Sequence, residues 1–555
     1  MSTRSTKSSR SKKARRRSHA AEAEPARRVS ESVRVDNVPE RYWRIGVIAI
    51  FLIAAVLRLY DLNLVPLHHD EGVNGNFLVR LVREGAYQYD PENYHGPTLY
   101  YFSALIPWVT KVLFGSAVRD SYGLTTFTIR LIPALFGLAT ILLVFLLRKR
   151  LGTIATLSAA LMLAVSPGAV YLSRYFIHET LFVFFTLGIV VAGVRFYDER
   201  SPSYLIALAA SAALLFATKE TAMISAGVLL IALALTLVYM RFNRGALEAS
   251  TAERNRVAGG IIKEMGHSSS LIVSLVLAFV VFQAVYFLFY SSFFTNYKGI
   301  YDSLQTFAVW TKTGQTAHVH PPAMYINWLV KQESPLLFLG AIGAAIVVLK
   351  PKNSLALFCA LWSFGLIAAY SLIPYKTPWL LLNFVVPLAL IAGYAIQAIY
   401  EMDKGQLRLV VVILFVAAGI ATSQSIDLNF INYDNDNPRY VYVYAHTTRG
   451  ALDLVNEIEQ IAKQKDGGKT GITIVSPDYW PLPWYLRNYS RVGYYGRMAA
   501  SSEPIIIANE KQKPEVDASY GEVYQQVSSK ETDGSFQLRP GVKLLLYVRR
   551  SEFGG

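Results

Sequence analysis

The sequence predicts a polytopic α-helical membrane protein that carries a small C-terminal α/β domain. Of its 555 residues, 53% are hydrophobic and 17% are charged, whereas soluble domains have about 25% charged residues. The apolar residues form blocks of about 17–25, the length that crosses the hydrocarbon core of a bilayer. This pattern excludes a soluble globular enzyme and a disordered chain, which needs low hydrophobicity. The single cysteine, Cys359, lies in an apolar block, which excludes a disulfide framework and a thiolate metal site.

Residues 1–44 form a basic tail with 13 Lys or Arg against five acidic residues. The tail has almost no large apolar residues, so we expect it to be disordered. A basic flank before a first transmembrane helix normally stays inside, which predicts a cytoplasmic N-terminus. No small-residue cleavage site follows, so the block 45–60 is interpreted as a retained helix. The positive charge of the tail is explained more simply by its role in orienting the first helix and by attraction to anionic lipid than by binding to nucleic acid. No nucleic-acid partner is therefore expected.

Eleven apolar blocks are predicted to span the membrane within a domain over 45–423: 45–60, 129–147, 153–173, 180–197, 204–218, 222–240, 271–290, 335–349, 355–373, 379–399 and 409–423. The segment 98–115 is ambiguous, because it is short and contains Pro107 and Lys111. If it lies in the membrane interface, every short basic loop falls inside, so the positive-inside rule favours an interfacial helix.

This topology places the polar motifs outside a multi-pass protein of the plasma or inner membrane. The outer segments include the loops 61–128 and 291–334 and an extracytoplasmic domain over 424–555. The short basic loops assigned to the inside are 148–150, 195–200, 241–263, 350–352 and 404–408, and they show no comparable constellation of polar residues. Any active site should therefore face the non-cytoplasmic side.

A pair of carboxylates follows the first helix. Asp70 and Glu71 stand a few residues after it ends, where a carboxylate pair suits general-base work or metal binding. The structural alternative is that Asp70 caps a helix over 72–84. The two roles are compatible, and the local sequence does not separate them. His68 and His69 add ligand capacity, but we expect them to be solvated loop residues.

Three further histidines lie in the outer segments. His95 sits in a His-Gly-Pro turn, where a structural role is the more common one. His318 and His320 form an H-x-H pair, which suits a metal when it lies in a strand, although the prolines that follow interrupt a regular strand. Two loops that both carry His before Pro could meet over the membrane and complete a divalent-metal site with Asp70.

Four cations lie where apolar blocks meet the outer surface: Arg130, Arg174, Lys219 and Lys376. Each alone is explained as a helix-end charge that reaches out to water. Together they break the usual bias of cations towards the inside. The set therefore predicts an anion-binding ring, for which a lipid-linked phosphate or pyrophosphate is the natural ligand. No phosphate-binding G-x-x-x-x-G-K-[ST] loop is present, so no nucleotide cofactor is expected.

The order of the motifs resembles a known superfamily. An H-x-D-E-G segment follows the first helix, then come Y-H-G-P, R-L-x-x-A-L-x-G, S-P-x-x-x-x-x-S-R with an acid, T-K, H-x-x-P and K-x-P-W. This order resembles the protein O-mannosyltransferase superfamily of GT-C glycosyltransferases, which includes the aminoarabinose transferases. With the segment 483–487 (PWYLR), it looks closest to the branch of flippase-activity-associated proteins, and the resemblance covers about 45–550.

The resemblance implies an enzyme that transfers a sugar from a polyprenyl-phosphate carrier to an acceptor on the outer face, with inversion of the anomeric centre. By position, Asp70 matches the general base and Glu179 the second acid, which is usually Asp in the family. Lys376 and Arg130 match residues tied to phosphate binding or to the integrity of the site. His95 and His320 fall near positions linked to a divalent metal in some members. Several relatives have Lys-Pro at the turn where this chain has Gly96.

The segment after 424 is polar and predicts the α/β domain. Its pattern predicts strands at 440–445, 471–476, 504–508 and 543–549, a helix at 448–464 and a short helix near 483–488. An aromatic stretch begins at Asp478, and aromatic faces suit sugar rings, although a packing role is equally consistent. We expect this domain to recognise the acceptor or to cover the site. The acceptor itself, whether glycan, lipid or protein, is not identified by the sequence.

Three other functions compete with the transferase. A transporter or flippase of lipid-linked sugars fits the spans and the cations, but it predicts polar residues in mid-span and inverted repeats, which are not evident. A non-catalytic scaffold is disfavoured by the intact set of Asp70, Glu179 and Lys376. Hydrolysis remains open, because water can replace the acceptor.

Overall fold

The computed structural model describes residues 38–93, 95–243, 269–316, 318–402, 407–529 and 533–553. Most of the predicted disordered tail 1–44, most of the basic loop 241–263 and residues 404–406 therefore lie outside the described residues. The described helices up to residue 426 that have at least seven residues are Glu40–Leu59, His69–Glu84, Thr98–Phe114, Thr126–Phe145, Thr153–Val165, Pro167–Ser173, Glu179–Glu199, Pro202–Phe216, Ala222–Phe242, Ser269–Tyr290, Lys298–Thr316, Met324–Gln332, Ser334–Leu349, Ser354–Leu372, Leu382–Met402 and Leu407–Ile426.

The predicted apolar blocks are helical in the structure. Among the described residues, eight helices are long and apolar enough to cross a membrane, or up to ten if each of two bent pairs is one span. The remaining predicted block, 204–218, is the helix Pro202–Phe216, which has 15 residues and is shorter than a usual span. The ambiguous segment 98–115 is the helix Thr98–Phe114, with Pro107 inside it.

The helix Leu382–Met402 forms the centre of the membrane-spanning part and is almost wholly buried. Two glycines allow its neighbours to approach closely. A Cβ atom on Gly343 would lie 2.2 Å from the carbonyl oxygen of Ile391, and one on Gly393 would lie 2.2 Å from that of Ala155. Small residues at such contacts let helix backbones pack where no hydrophobic effect drives association.

The two bent pairs meet at their breaks. One pair bends by 60° at Ser166 and the other by 112° at Glu333. The Glu333 carboxylate accepts hydrogen bonds from Ser166 Oγ (2.9 Å) and from the Gly168 N–H (2.7 Å). The Glu333 carboxylate thus accepts hydrogen bonds at the N-terminus of the helix Pro167–Ser173. The first backbone N–H groups of a helix have no acceptor within the helix itself.

The C-terminal part contains a six-stranded sheet. Its strands are β1 (Ile472–Ile474), β2 (Val492–Tyr494), β3 (Ile505–Asn509), β4 (Tyr524–Val527), β5 (Phe536–Arg539) and β6 (Val542–Arg549). The order is β2-β1-β3-β6-β4, with β5 also paired to β6. β1 pairs in parallel with β2 and β3, and β6 pairs antiparallel with β3, β4 and β5. Four helices accompany it: Arg449–Lys463, Leu482–Tyr485, Lys513–Tyr520 and Arg550–Phe553.

The segment 440–445 was expected to be a strand, and this expectation is wrong. The segment has no strand pairing and lies against the membrane helices. The Val441 N–H donates to Gln332 Oε1 (3.1 Å), and the Tyr442 hydroxyl donates to Glu333 Oε1 (3.3 Å). Its alternating Tyr and Val side chains are buried on both sides of the segment, which satisfies the apolar pattern without a sheet.

Candidate active site

His68 begins the helix His69–Glu84. Its Nδ1 accepts the Asp70 N–H (3.1 Å), and the Glu71 carboxylate accepts the His68 N–H (3.0 Å), which completes a capping box. The Nε2 atom lies 2.9 Å from the Tyr444 carbonyl oxygen. A carbonyl only accepts, so Nε2 is the donor in this hydrogen bond. Two expectations are corrected: His68 is buried rather than solvated, and it is His68 rather than Asp70 that caps this helix.

Glu71 and Arg130 form a buried ion pair. Arg130 donates Nε to Glu71 Oε1 (2.7 Å) and Nη2 to Oε2 (2.5 Å). Glu71 also accepts the Phe176 N–H at 2.8 Å. With the bond from His68, all four acceptor positions of the carboxylate are occupied. Neither oxygen is left to take a proton from a substrate, which favours a positioning role over the catalytic role expected for Glu71.

Arg130 has no donor left for a phosphate. Its Nη1 donates to the carbonyl oxygens of Leu62 and Val65, both at 2.8 Å, and its Nη2 reaches that of Pro66 at 3.3 Å. Together with Glu71, these acceptors engage all five N–H groups of the guanidinium. Arg130 therefore ties the loop after the first helix to the helix Thr126–Phe145.

Asp70 lies on the accessible side of this arrangement. Its side chain is 39% exposed, whereas the side chains of Glu71, Glu179 and Glu220 are at most 4% exposed. Next to it, burial lowers the pKa of His69, against the opposing effect of the Asp70 charge. Asp70 is thus placed as a carboxylate that an outside molecule can reach.

The His95 turn packs on the turn that contains Lys219. The Gly96 N–H donates to the Thr218 carbonyl oxygen at 3.0 Å, and His95 pairs with Lys219 as an isolated bridge. A Cβ atom on Gly96 would lie 2.1 Å from the Ala217 carbonyl oxygen. This contact requires glycine at position 96, because the Cβ atom of any other residue would collide with the backbone of Ala217.

Glu179 and Lys219 form a second buried ion pair at this turn. Burial opposes the charge of Lys219, but the carboxylates of Glu179 and Glu220 outweigh burial and raise its pKa. His95 Nδ1 lies 3.1 Å from Glu220 Oε2. His178, whose Nε2 faces the Gly96 carbonyl oxygen, is buried against His95, and burial lowers the pKa of His178 well below its usual value.

The loop of His318 and His320 pairs with the turn of Lys376. The Lys376 N–H donates to the His318 carbonyl oxygen (3.0 Å), and the His320 N–H donates to that of Pro374 (3.1 Å). His318 Nδ1 lies 2.9 Å from the Tyr444 hydroxyl. His95 lies on the other turn, and within the described ranges no three His, Cys, Asp or Glu side chains are placed to hold a metal ion. The described donor set does not fit the expected metal.

These contacts link several of the sequence motifs to one another. Tyr444 bridges His68 and His318, and the rings of His318 and Tyr375 lie 5.4 Å apart. Tyr375 belongs to the turn of Lys376, and on the other turn Lys219 pairs with Glu179. The segment before Glu179 also contacts His68, because the rings of Tyr175 and His68 lie 5.3 Å apart. Tyr444 and Tyr175 were not singled out in the sequence, since neither belongs to a motif.

The remaining predicted cations are engaged by backbone carbonyls. Arg174 donates to the carbonyl oxygens of Tyr60 (2.5 Å) and Asp61 (2.8 Å), beyond the end of the first helix. Lys376 Nζ donates to those of Ser371 (3.2 Å) and Ile373 (2.5 Å), and burial lowers its pKa. The structure therefore does not present Arg130, Arg174, Lys219 and Lys376 as an open ring of cations.

The C-terminal domain adds residues that the sequence did not place here. Arg539 Nη2 donates to Asp478 Oδ1 (2.5 Å), and its Nη1 lies 3.5 Å from His69 Nδ1. Trp480 lies beside His69, with ring centroids 6.1 Å apart. The aromatic stretch after Asp478 was noticed in the sequence, but nothing there indicated that Arg539, at the end of β5, reaches the neighbour of Asp70.

Comparisons with known proteins agree on the fold. A family model described as dolichyl-phosphate-mannose-protein mannosyltransferase matches residues 105–250. The chain is similar to ArnT from Cupriavidus metallidurans bound to undecaprenyl phosphate, with 13% identity and a TM-score of 0.62 over 92% of this chain and 98% of ArnT.

An oligosaccharyltransferase from Archaeoglobus fulgidus, tethered with an acceptor peptide, is 14% identical with a TM-score of 0.53 over 82% of this chain and 64% of that one. No curated protein sequence matches the chain. The resemblance to the flippase-activity-associated branch stays a prediction. The described residues have a GT-C-like fold, as the sequence predicts, with many transmembrane helices followed by a small sheet domain.

Proposed function

We propose that the chain is a membrane glycosyltransferase that moves a sugar from a polyprenyl-phosphate carrier to an acceptor hydroxyl, with Asp70 as the general base. One observation carries the proposal: Asp70 is an accessible carboxylate at the start of a helix, beside buried acids that are already paired. The GT-C fold, shared with ArnT bound to undecaprenyl phosphate, supports the choice of donor. The match to the mannosyltransferase family model supports the reaction class.

In the proposed reaction, the acceptor oxygen attacks C1 of the sugar and the bond from C1 to the carrier phosphate breaks. Asp70 takes the proton of the acceptor hydroxyl, and polyprenyl phosphate leaves with the bonding electron pair. Attack opposite to the leaving phosphate inverts the anomeric centre. The lipid anchor of the donor and the fixed protein hold the reactants together, which supplies proximity. No step of this scheme uses a metal ion.

Glu71 and Arg130 act in this scheme as positioning residues. Their ion pair holds the first turn of the helix His69–Glu84, which carries Asp70, against the helix Thr126–Phe145. Glu179 acts in the same way through Lys219, because both side chains are buried and paired. These roles replace direct contact with the substrate for Glu71, Arg130 and Glu179.

We assign the donor phosphate to the side of Lys376. Its ammonium group is buried beside the Tyr325 ring and has three N–H donors, of which two reach backbone carbonyls, so the phosphate must enter the turn to meet the third. A phosphate that accepts the third would receive a charge-assisted bond as negative charge develops on the leaving oxygen. The site faces the extracytoplasmic side in the proposed topology, with the N-terminus inside and Thr98–Phe114 in the interface.

The test uses full-length protein in lipid nanodiscs with polyprenyl-phosphate-linked mannose, with and without a set of glycan, lipid and peptide acceptors, and with and without a chelator. Release of free polyprenyl phosphate is followed for the wild type and for Asp70→Asn, with Asp90→Asn as the matched control on an exposed carboxylate of the same loop. We expect release by the wild type and by Asp90→Asn, and a loss of at least about a hundredfold in Asp70→Asn.

Equal release by Asp70→Asn would remove Asp70 as the base. No release from mannose-, glucose- or aminoarabinose-linked donors, together with movement of a labelled lipid-linked sugar across the bilayer, would replace the transferase by the flippase. Release that requires only water would assign hydrolysis. Release that stops with the chelator would place a metal in the reaction, against the scheme above.

A further inference from the structure

A run of aromatic rings leads from the neighbour of Asp70 onto the C-terminal domain. The ring centroids of His69 and Trp480 lie 6.1 Å apart, those of Trp480 and Tyr479 5.7 Å, and those of Tyr479 and Tyr494 5.3 Å. We call these four residues the aromatic path. Its far end is open to solvent, because Tyr494 is 36% exposed and its neighbour Tyr495 is 52% exposed.

The aromatic path is held rigidly against the helix that carries Asp70. A Cβ atom on Gly72 would lie 2.5 Å from Cβ of Pro481, so only glycine allows this approach. The Tyr485 hydroxyl accepts the Leu67 N–H at 2.8 Å. The position of Trp480 relative to Asp70 is therefore set by the contact of Gly72 with Pro481 and by the hydrogen bond between Leu67 and Tyr485. Such rigidity is what a binding surface needs to orient a ligand towards a reacting group.

Polar groups border the aromatic path. Asp478 and Arg539 form an ion pair in which their side chains are 38% and 19% exposed. The carboxylate and the guanidinium can both form further hydrogen bonds with a ligand, one as acceptor and one as donor. Partly exposed aromatic rings beside a carboxylate and a guanidinium match a ligand that presents C–H faces and adjacent hydroxyl groups.

We infer that the aromatic path, with Asp478 and Arg539, is the binding surface for a saccharide acceptor, whose hydroxyl it presents to Asp70. This inference rests on the proposed function, because it takes Asp70 as the base to which the acceptor hydroxyl is presented. It adds the chemical class of the acceptor. The spacing of successive rings is comparable with the length of one sugar ring, so consecutive sugars would lie on consecutive aromatic faces. A peptide acceptor would instead extend the sheet at β2, whose outer edge is unpaired among the described strands.

The test measures binding without any donor, so that it does not depend on turnover. Full-length protein in nanodiscs is examined by saturation-transfer NMR with tetrasaccharides of mannose, glucose, galactose or N-acetylglucosamine, and with an octapeptide that contains Ser and Thr. The variants are Tyr494→Ala, Trp480→Ala and Trp480→Phe. Tyr122→Ala, which removes a tyrosine that is 71% exposed elsewhere, is the matched control.

We expect at least one tetrasaccharide to bind, and Tyr494→Ala and Trp480→Ala to weaken it by roughly three- to tenfold, the loss of one aromatic contact. Trp480→Phe should keep most of the binding, and Tyr122→Ala should keep all of it. Binding of no tetrasaccharide would overturn the inference. So would saccharide binding that Tyr494→Ala and Trp480→Ala leave unchanged, or binding of the octapeptide alone.

Donor cleavage, measured in parallel, separates this inference from the proposed function. Tyr122→Ala, which lies outside the aromatic path, should release polyprenyl phosphate from the donor at the wild-type rate. Tyr494→Ala should raise the KM for the bound tetrasaccharide in transfer by the same factor as the dissociation constant. Saccharide binding without any Asp70-dependent cleavage of the donor would support the binding surface but contradict the proposed transferase activity.

Discussion

Gly75 and Trp484 touch across the boundary between the helix that carries Asp70 and the C-terminal domain. A Cβ atom on Gly75 would lie 2.6 Å from Cε3 of Trp484, and Trp484 is fully buried there. The indole ring of a polar domain thus belongs to the core of the membrane-spanning part. The orientation of the helix His69–Glu84 consequently depends on how this domain docks.

Gly75→Ala should weaken this docking. The added methyl group must displace a buried ring, and overpacking of this kind costs about 1–3 kcal/mol. We expect a lower midpoint of thermal unfolding and slower donor cleavage, although Gly75 does not reach the substrate. Gly227→Ala is the control, because a Cβ there meets nothing within 4 Å. Equal midpoints for the two variants would show that the contact does not matter.

Glu71→Gln should destabilise the protein strongly. It removes the charge that compensates buried Arg130, and breaking a buried ion pair costs about 3–5 kcal/mol. The double variant Glu71→Leu with Arg130→Met should recover part of this loss, because it leaves no unpaired charge. The measurement is the free energy of unfolding of all three proteins. A double variant less stable than Glu71→Gln would contradict the ion-pair account.

His68→Ala should cost about 1 kcal/mol of stability relative to His68→Asn. Asparagine keeps a side-chain acceptor for the first turn of the helix, and alanine does not. Both variants lose the bond from Nε2 to the Tyr444 carbonyl, so the difference between them isolates the cap. Thermal unfolding of the two variants checks the prediction, and identical stabilities would show that the Nδ1 contact contributes little.

Stability should fall on mild acidification, in part through His178. Burial holds its pKa in the folded protein well below the usual 6.5, so the unfolded chain takes up the proton first as the pH falls. Stability is therefore complete above about pH 6.5 and declines below it, towards the folded pKa. Unfolding between about pH 8 and about pH 5 should show this decline. In His178→Gln the decline should be shallower, and an unchanged slope would exclude His178 as a source.

The sequence allowed the helices to be located because each is a long apolar run. It missed local features that depend on a distant partner. The alternating Tyr and Val residues of 440–445 follow the pattern of a strand, but Gln332 and Glu333 hold them against the membrane helices. His68 was expected to be a loop residue. The contact that orients its ring as a helix cap is made with Tyr444, which lies 376 positions away in the sequence.

For the cations too, the sequence indicated their positions but not their hydrogen-bond partners. Their places at helix ends were readable, because each stands at the edge of an apolar block. Whether a cation is open to a ligand depends on the acceptors around it. Arg130 meets Glu71 and three carbonyl oxygens, which no local pattern reveals, and Arg539 lies 470 positions from the histidine that it faces.

The sequence by itself determined the positions and order of the apolar helices, the small α/β domain after them, and the presence of carboxylates and histidines in the segments between them. These follow from hydrophobicity and residue type, which are local properties. Only the tertiary structure decided that Asp70 is accessible while Glu71 and Glu179 are paired, and that the aromatic path ends beside Asp70. Burial and hydrogen-bond partners decide these points, and both arise from residues that the chain brings together over hundreds of positions.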